Sequence, residues 1–175
     1  MLRLLIFGNS GSGKSTLAHE VAKRLQLDHL DLDTVAWKPD SPGTREELEN
    51  SKRAILEFCD THPNWVVEGC YADLLRHATA IATHLCFLNP GTEQCQTNCR
   101  NRPWESHKYP SKSAQDKNLN MLLDWVAQYE AREDEFSLAA HRNIFDSFNG
   151  PKFELCALHA YGQMIAQLAH FPREK

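Results

Sequence analysis

The chain lacks any apolar run that approaches the length of a membrane span. It also lacks a charge excess: net charge is −4, which does not drive it onto nucleic acid or an anionic membrane surface. There is no helix-turn-helix or zinc pattern, so direct binding of nucleic acid is not expected. The six cysteines, Cys59, Cys70, Cys86, Cys95, Cys99 and Cys156, include no C-x-x-C pair. Cys95 and Cys99 are spaced to share a helix face, but free thiols in a reducing cytoplasm are the expected state, with a disulfide or zinc role as the alternative. The histidines are scattered without metal spacing, and His29, His77 and His141 read as ordinary polar residues. No internal repeat, low-complexity tract or linker divides the chain. Its 175 residues, 42% hydrophobic and 24% charged, are expected to form one domain, 1–175, with a real core.

What is present is concentrated near the start. Gly8-Asn9-Ser10-Gly11-Ser12-Gly13-Lys14-Ser15-Thr16 reads G-x-x-x-x-G-K-[ST], the phosphate-binding P-loop pattern. The apolar run Leu2 to Phe7 before it predicts a buried strand, which argues against a cleavable signal peptide. Ser15 to Gln26 places Leu17, Ala18, Val21, Ala22 and Leu25 on one helical face. Polyphosphate requires several backbone N–H groups aimed at one point, and glycines admit the backbone that does this. The new helix adds unpaired N–H groups and the positive end of its dipole. Lys14 supplies a mobile charge for the β- and γ-phosphates of ATP, and the Ser15 hydroxyl is placed to ligate Mg²⁺.

Further strands are expected over Leu27–Leu32, Trp65–Val67, His84–Leu88 and Phe153–Leu158. Asp31 and Asp33 fall at the end of the second strand, where open α/β sheets face their ligand crevice. A carboxylate there can accept the proton of an attacking hydroxyl or orient Mg²⁺ through water. Asp33 is assigned that role, whereas Asp31 fits a turn or cap equally well. Glu68 ends the third strand and is assigned to Mg²⁺ together with Ser15. Trp37 and Tyr71 are either pocket walls or ordinary packing. Thr44 with Glu47 predicts a capping box opening a helix to Cys59, and Thr92 predicts the cap of a helix to Arg102. A long helix is expected over Gln115–Glu135, another over Phe136–Phe148, and a last one over Tyr161–Leu168.

The segment Arg100 to Lys117 is proline-broken and carries net +3 in an acidic chain. It fits a mobile lid whose Arg100 and Arg102 neutralise charge on a transferred phosphoryl group, and a solvated loop is the alternative.

Taken together, these stretches resemble the P-loop nucleoside and nucleotide kinase group, and within it the adenylate-kinase-like bacterial proteins called topology modulation or FlaR-like proteins. The likeness rests on Leu2–Thr16, on His29–Asp33 running to Trp37-Lys38-Pro39, on Trp65–Tyr71, and on the strand ending at Asn89-Pro90 with the helix to Arg100 and Arg102. The resemblance implies a three-layer α/β fold, a five-stranded parallel sheet, ATP with Mg²⁺, and a helical, arginine-bearing lid. It also places Glu68 where adenylate kinases carry an aspartate before glycine, and makes Asp31 and Asp33 similar to the Asp-x-Asp of shikimate kinases. Two departures narrow it. Cys70, Tyr71 and Ala72 replace the Phe-Pro-Arg whose arginine grips an acceptor phosphate in adenylate kinases. The strand Phe87-Leu88 ends in Asn89 instead of a Walker B aspartate, leaving Glu68 or Asp33 as the acid near Mg²⁺.

The expected function is therefore transfer of the γ-phosphoryl group of ATP to a hydroxyl or phosphate on a small-molecule acceptor. The alternative is an ATP-binding regulatory or DNA-topology-associated protein with weak ATPase activity. A GTPase would carry Asn/Thr-Lys-x-Asp for its base, and none is present.

Overall fold

A computed structural model of the chain describes residues 1–41, 43–105, 110–157 and 160–171. Within them, strands β1 (Arg3–Gly8), β2 (Asp28–Asp31), β3 (Trp65–Gly69), β4 (His84–Leu88) and β5 (Lys152–Leu155) form one sheet. All pairings are parallel, and the strand order is β2-β3-β1-β4-β5. The helices are α1 (Lys14–Leu25), α2 (Asp33–Ala36), α3 (Leu48–Thr61), α4 (Ala72–Thr79), α5 (Thr92–Arg100), α6 (Lys112–Lys117), α7 (Leu119–Ala127), α8 (Leu138–Ser147) and α9 (Tyr161–Ala169). A 3-10 turn, Gln128–Glu130, follows α7.

The central strand explains the layering. Side chains alternate across a strand, and a parallel sheet is covered on both faces. Leu4 and Ile6 of β1 pack with Leu17 and Val21 of α1 and with Met164, Ile165 and Leu168 of α9. Leu5 and Phe7 pack the other way, with Ile55 of α3, Leu74 and Leu75 of α4 and Ile144 of α8. Each such fully buried side chain contributes about 1.5–3 kcal/mol. The result is a three-layer α/β unit, as expected. A smaller cluster stands apart: Cys95 and Cys99 of α5 pack on Val126, Leu122 and Leu123 of α7. The shared face expected of the two cysteines is thus a packing face, and both thiols are free. Among the described residues no helix is long and apolar enough to cross a membrane.

Chain direction leads β1 to β3 on one side and β4 on the other, so a crevice opens at the carboxyl ends between the loops after β1 and β3. Several boundaries differ from the sequence reading. Asp33–Ala36 forms a short helix directly beyond β2, for which the sequence reading drew no element. The capping box at Thr44 does not form, and α3 starts at Leu48 with no side-chain cap. Arg45 instead makes an antiparallel bridge to Trp37, and the Thr44 carbonyl accepts from Lys38 N at 3.0 Å, which keeps that stretch extended. Gly91, not Thr92, occupies the cap of α5. The long helix expected over Gln115–Glu135 is broken at Asn118, which ends α6 and opens α7. Phe136 precedes α8, whose cap is Ser137 through Ala140 N at 3.0 Å. Residues 106–109 of the expected lid, and Leu158 of the expected last strand, lie outside the described residues.

Candidate functional site

The loop between β1 and α1 is held from three sides. Asn9 donates from Nδ2 to the Val126 carbonyl of α7 at 3.1 Å and accepts from Ser10 N at 2.8 Å. Asn98 of α5 donates to the Gly11 carbonyl at 2.8 Å, and the Tyr161 hydroxyl of α9 donates to the Ser12 carbonyl at 3.3 Å. Gly11 is left-handed (φ 77°), and a Cβ there would sit 2.4 Å from the Cys95 carbonyl oxygen and 2.6 Å from Cys99 Sγ. Only glycine lets the loop lie this close to α5. Gly13, also left-handed (φ 96°), opens α1 with no side-chain cap and no acid in the first turn. The unpaired N–H groups and positive dipole end of α1 are thus left for an anion. Lys14 Nζ donates to the Asn9 carbonyl at 2.9 Å, folded back over its own loop.

Lys14 and Ser15 line a cleft of about 450 Å³ together with Asp31, Asp33, Glu68 and Arg102. Glu68 sits in β3 beside Ile6 of β1 and Asp31 of β2, and is 1% exposed. Its Oε1 has no hydrogen-bond partner among the described residues. The His29 ring nitrogen is 3.9 Å away, and burial, with His19 adding, lowers the His29 pKa to about 4, so no charge answers the carboxylate from there. Burial pushes the Glu68 pKa up to about 7, with Asp31 and Asp33 adding to the rise and Lys14 and the Ser15 hydroxyl opposing it. A buried carboxylate oxygen without a partner is costly. A hydrated Mg²⁺ on the Ser15 hydroxyl would satisfy it, because Mg²⁺ favours oxygen donors, keeps several waters and takes few protein ligands. The residues therefore fit that ion. Among the described residues no group of three or more His, Cys, Asp or Glu could hold a metal ion.

Asp33 opens α2 and points the site toward a second cavity. Its backbone N donates to Asp31 Oδ1 at 2.9 Å. The Tyr71 hydroxyl donates to Asp33 Oδ1 at 2.5 Å, and Trp37 Nε1 donates to the Tyr71 oxygen at 2.7 Å. An indole N–H only donates, so the Tyr71 oxygen accepts from Trp37 and its own proton must go to Asp33. Burial, above all, raises the Tyr71 pKa far beyond the ordinary phenol range, which keeps that proton in place. Asp31, Asp33, Cys70 and Arg102 line both the cleft and this second cavity of about 670 Å³, whose far wall carries Trp37, Tyr71, Trp125 and Phe136. Arg102 is ion-paired with Glu105 at 3.1 Å. Arg100, at the end of α5, is exposed and lines neither cavity.

Behind the site, His141 is fully buried. Its Nε2 lies 3.0 Å from the Cys70 carbonyl oxygen and its Nδ1 lies 2.7 Å from the Tyr129 hydroxyl. The carbonyl can only accept, so Nε2 carries the proton and Tyr129 donates to Nδ1. Burial lowers the His141 pKa to about 4. The sequence reading missed this support, as it missed Asn98, Tyr161 and the aromatic wall. Tyr71 and Trp37 had a signal, since both flank the assigned carboxylates, but nothing in the chain joined one to the other.

The same fold recurs in solved structures of small-molecule kinases. A shikimate kinase from Bacteroides thetaiotaomicron superposes with a TM-score of 0.60 and 17% identity over 95% of this chain and 96% of its own. A gluconokinase from Sinorhizobium meliloti gives 0.56 and 18% over 96% and 93%. A sugar kinase from Janibacter sp. gives 0.51 and 19% over 96% and 92%. At these identities what is shared is the fold, and the five-stranded, three-layer arrangement matches that of the P-loop kinases. No protein-family model matches the sequence, and no curated protein matches it either.

Proposed function

We propose that the chain is an ATP- and Mg²⁺-dependent small-molecule kinase that transfers the γ-phosphoryl group to an acceptor hydroxyl. The observation that carries this reading is the meeting of the phosphate loop and the paired aspartates in one continuous site: Lys14, Ser15 and Glu68 on one side, Asp33 and the aromatic cavity on the other. The donor half needs nothing more from the protein than N–H groups, one mobile ammonium and a hydroxyl beside a carboxylate, and all are in place.

Lys14 leaves the Asn9 carbonyl and takes the β- and γ-phosphates. Ser15, with Glu68 through water, would hold Mg²⁺, which would neutralise phosphate charge. Asp33 accepts the acceptor proton as the acceptor oxygen bonds to the γ-phosphorus and the bridging P–O bond to ADP breaks. Tyr71 fixes the Oδ1 side of Asp33. Arg102, at the junction of the two cavities, exchanges Glu105 for the phosphoryl oxygens. Arg100 reaches the transfer point only if the 100–117 segment closes as a lid. Against a phosphate acceptor, the other option, stands the Cys70-Tyr71-Ala72 stretch, which carries no arginine where adenylate kinases grip such a phosphate. The narrower kinship to FlaR-like proteins rests on the sequence stretches alone, as does the cytoplasmic setting.

The test is ADP release by the purified chain with Mg-ATP, measured without and with candidate acceptors. Acceptor-stimulated release, lost in a folded Lys14→Ala variant, is expected. Unchanged ATP affinity in that variant would remove the reading. ADP release that no acceptor alters would favour the ATP-binding regulatory alternative.

A further inference from the structure

The second cavity identifies the chemistry of the acceptor, an inference that rests on the kinase reading above. Its far wall is a run of rings in edge-to-face contact. Trp37 and Tyr71 lie 6.2 Å apart at 72°, Tyr71 and Phe136 5.3 Å apart at 69°, and Phe136 and Trp125 5.4 Å apart at 68°. The end of α2, the start of α4, α7 and the approach to α8 each contribute one ring, so the wall exists only in the fold. Tyr71 is 3% exposed and serves as backing, while the half-buried Trp37, Phe136 and Trp125 keep part of their surface open to the cavity for a flat ligand.

Charge around this wall is arranged against an ionic acceptor. The Arg45 guanidinium lies 5.7, 4.8 and 5.6 Å from the centroids of Trp37, Tyr71 and Phe136, and Arg132 lies 4.3 and 5.5 Å from Trp125 and Phe136. Neither arginine lines the cavity. Both are held by carboxylates, Arg45 by Asp73 at 2.9 Å and Glu135 at 3.6 Å, Arg132 by Asp134 at 2.9 Å. They draw ring electron density outward, which weakens the wall as a host for a ligand cation. The charged residues that do line the cavity, among those described, are Asp31, Asp33 and Arg102, and Arg102 is paired with Glu105. With Arg102 given to the transferred phosphoryl group, a carboxylate or phosphate on the acceptor would meet two aspartates and no second cation among the described lining residues.

We infer that the acceptor is an uncharged alcohol with a flat, heteroaromatic body. The body packs against the open surface of Trp37, Phe136 and Trp125, with Tyr71 behind them, and the hydroxyl reaches Asp33. In the transfer, the hydroxyl proton passes to Asp33, the alcohol oxygen bonds to the γ-phosphorus, and ADP leaves with the electrons of the broken bridging bond. The cavity volume of about 670 Å³ suits such a body.

Two sources of this chemistry are separable: a nucleoside, with the alcohol on a sugar, and a hydroxymethylpyridine, with the alcohol on the ring itself. The full chain is assayed with uridine, pyridoxine, shikimate, gluconate and uridine monophosphate. Tryptophan fluorescence is read without ATP, and ADP release is read with Mg-ATP. Uridine or pyridoxine is expected to quench the fluorescence saturably and to raise ADP release about tenfold or more, and whichever does so names the source. Trp125→Ala should raise the KM for that alcohol about tenfold, as loss of one stacking ring does. KM for ATP should be unchanged, and Trp125→Phe should restore the alcohol KM. Higher kcat/KM with shikimate, gluconate or the monophosphate would overturn the inference and leave the kinase reading standing. So would ATP binding without any response to either flat alcohol. Failure to bind ATP at all would take both down.

Discussion

The two halves of the site are built from different materials. The half proposed for phosphate is backbone: three glycines, the open end of α1, loop carbonyls clamped by Asn98 and Tyr161, and a loop tied through Asn9 to the Val126 carbonyl. The acceptor half is side chain: Asp33 pinned by Tyr71, Tyr71 pinned by Trp37, and a wall of rings from distant elements. Backbone geometry tolerates little change in sequence, because a Cβ at Gly11 would collide with the Cys95 carbonyl. Side-chain geometry is free to vary with the ligand. A fold shared with a shikimate kinase, a gluconokinase and a sugar kinase therefore constrains the first half far more than the second.

The largest effect expected from breaking the acceptor half alone comes from Asp33→Asn. The amide keeps the shape but cannot take the acceptor proton. Acceptor-dependent transfer should fall by about 10²–10⁴-fold, the usual worth of a general base. ATP affinity should stay within about twofold, because the amide keeps the shape of the side chain and leaves Lys14 and the loop N–H groups proposed to hold the phosphates unchanged. Titrating ATP against the variant while following product separates the two. Surviving transfer would move the base to Asp31, the other carboxylate in both cavities.

This division also decides what could be read without coordinates. The phosphate half is contiguous, so Gly8 to Thr16 declares it, and the alternating Leu4–Phe7 run declares the strand that delivers it. Parallel strands buried on both faces gave legible apolar runs at β3 and β4. Glu68 and Asp33 were legible because strand ends in such sheets face the crevice. The wall was not legible. Trp37, Tyr71, Trp125 and Phe136 come together only through tertiary packing, and one of them lay in a helix drawn too long. Asn118 divides that helix, and Phe136, expected to begin the next one, lies between the 3-10 turn and α8. The capping-box pattern at Thr44 lost to a tertiary bridge between Trp37 and Arg45.

A smaller, sharper test asks whether Tyr71 is a positioning residue or only packing. In Tyr71→Phe the ring remains against Phe136 and Trp37, while the hydroxyl that donates to Asp33 and accepts from Trp37 Nε1 is gone. Stability should drop by about 1–3 kcal/mol, because a buried N–H is left unpartnered. The rate should fall about tenfold, less than for Asp33→Asn. Packing alone predicts no more than this. Positioning predicts in addition that the acid limb of the kcat/KM profile moves to higher pH, because a donor that favours ionised Asp33 has been removed. An unmoved profile would leave Tyr71 as wall and nothing else.

The smallest effect falls on the support behind the acceptor half. His141 donates to the Cys70 carbonyl, one residue before Tyr71, and accepts from Tyr129. Burial holds its folded pKa at about 4 against an ordinary 6.5, so the folded state binds fewer protons than the unfolded state between those values. Stability linked to His141 is therefore complete above pH 6.5 and is lost as pH falls toward 4. The shift corresponds to roughly 3 kcal/mol at most, or about 5–10 °C in Tm for a chain of this size. His29, depressed to about 4 for the same reason, adds in the same direction, while Glu68, raised to about 7, opposes both because its stabilisation lies below pH 4.5 and is lost by pH 7. The wild-type curve is thus a sum, and the informative quantity is a difference. His141→Gln should lower Tm at pH 7.5, where the neutral ring makes both hydrogen bonds, and the gap to wild type should narrow steadily as pH approaches 4. Melting curves of the ligand-free protein from pH 7.5 to 4 measure it. A gap that stays constant would mean that His141 enters the core without its proton balance mattering, and the acceptor half would have no titrating support to distinguish it from the phosphate half.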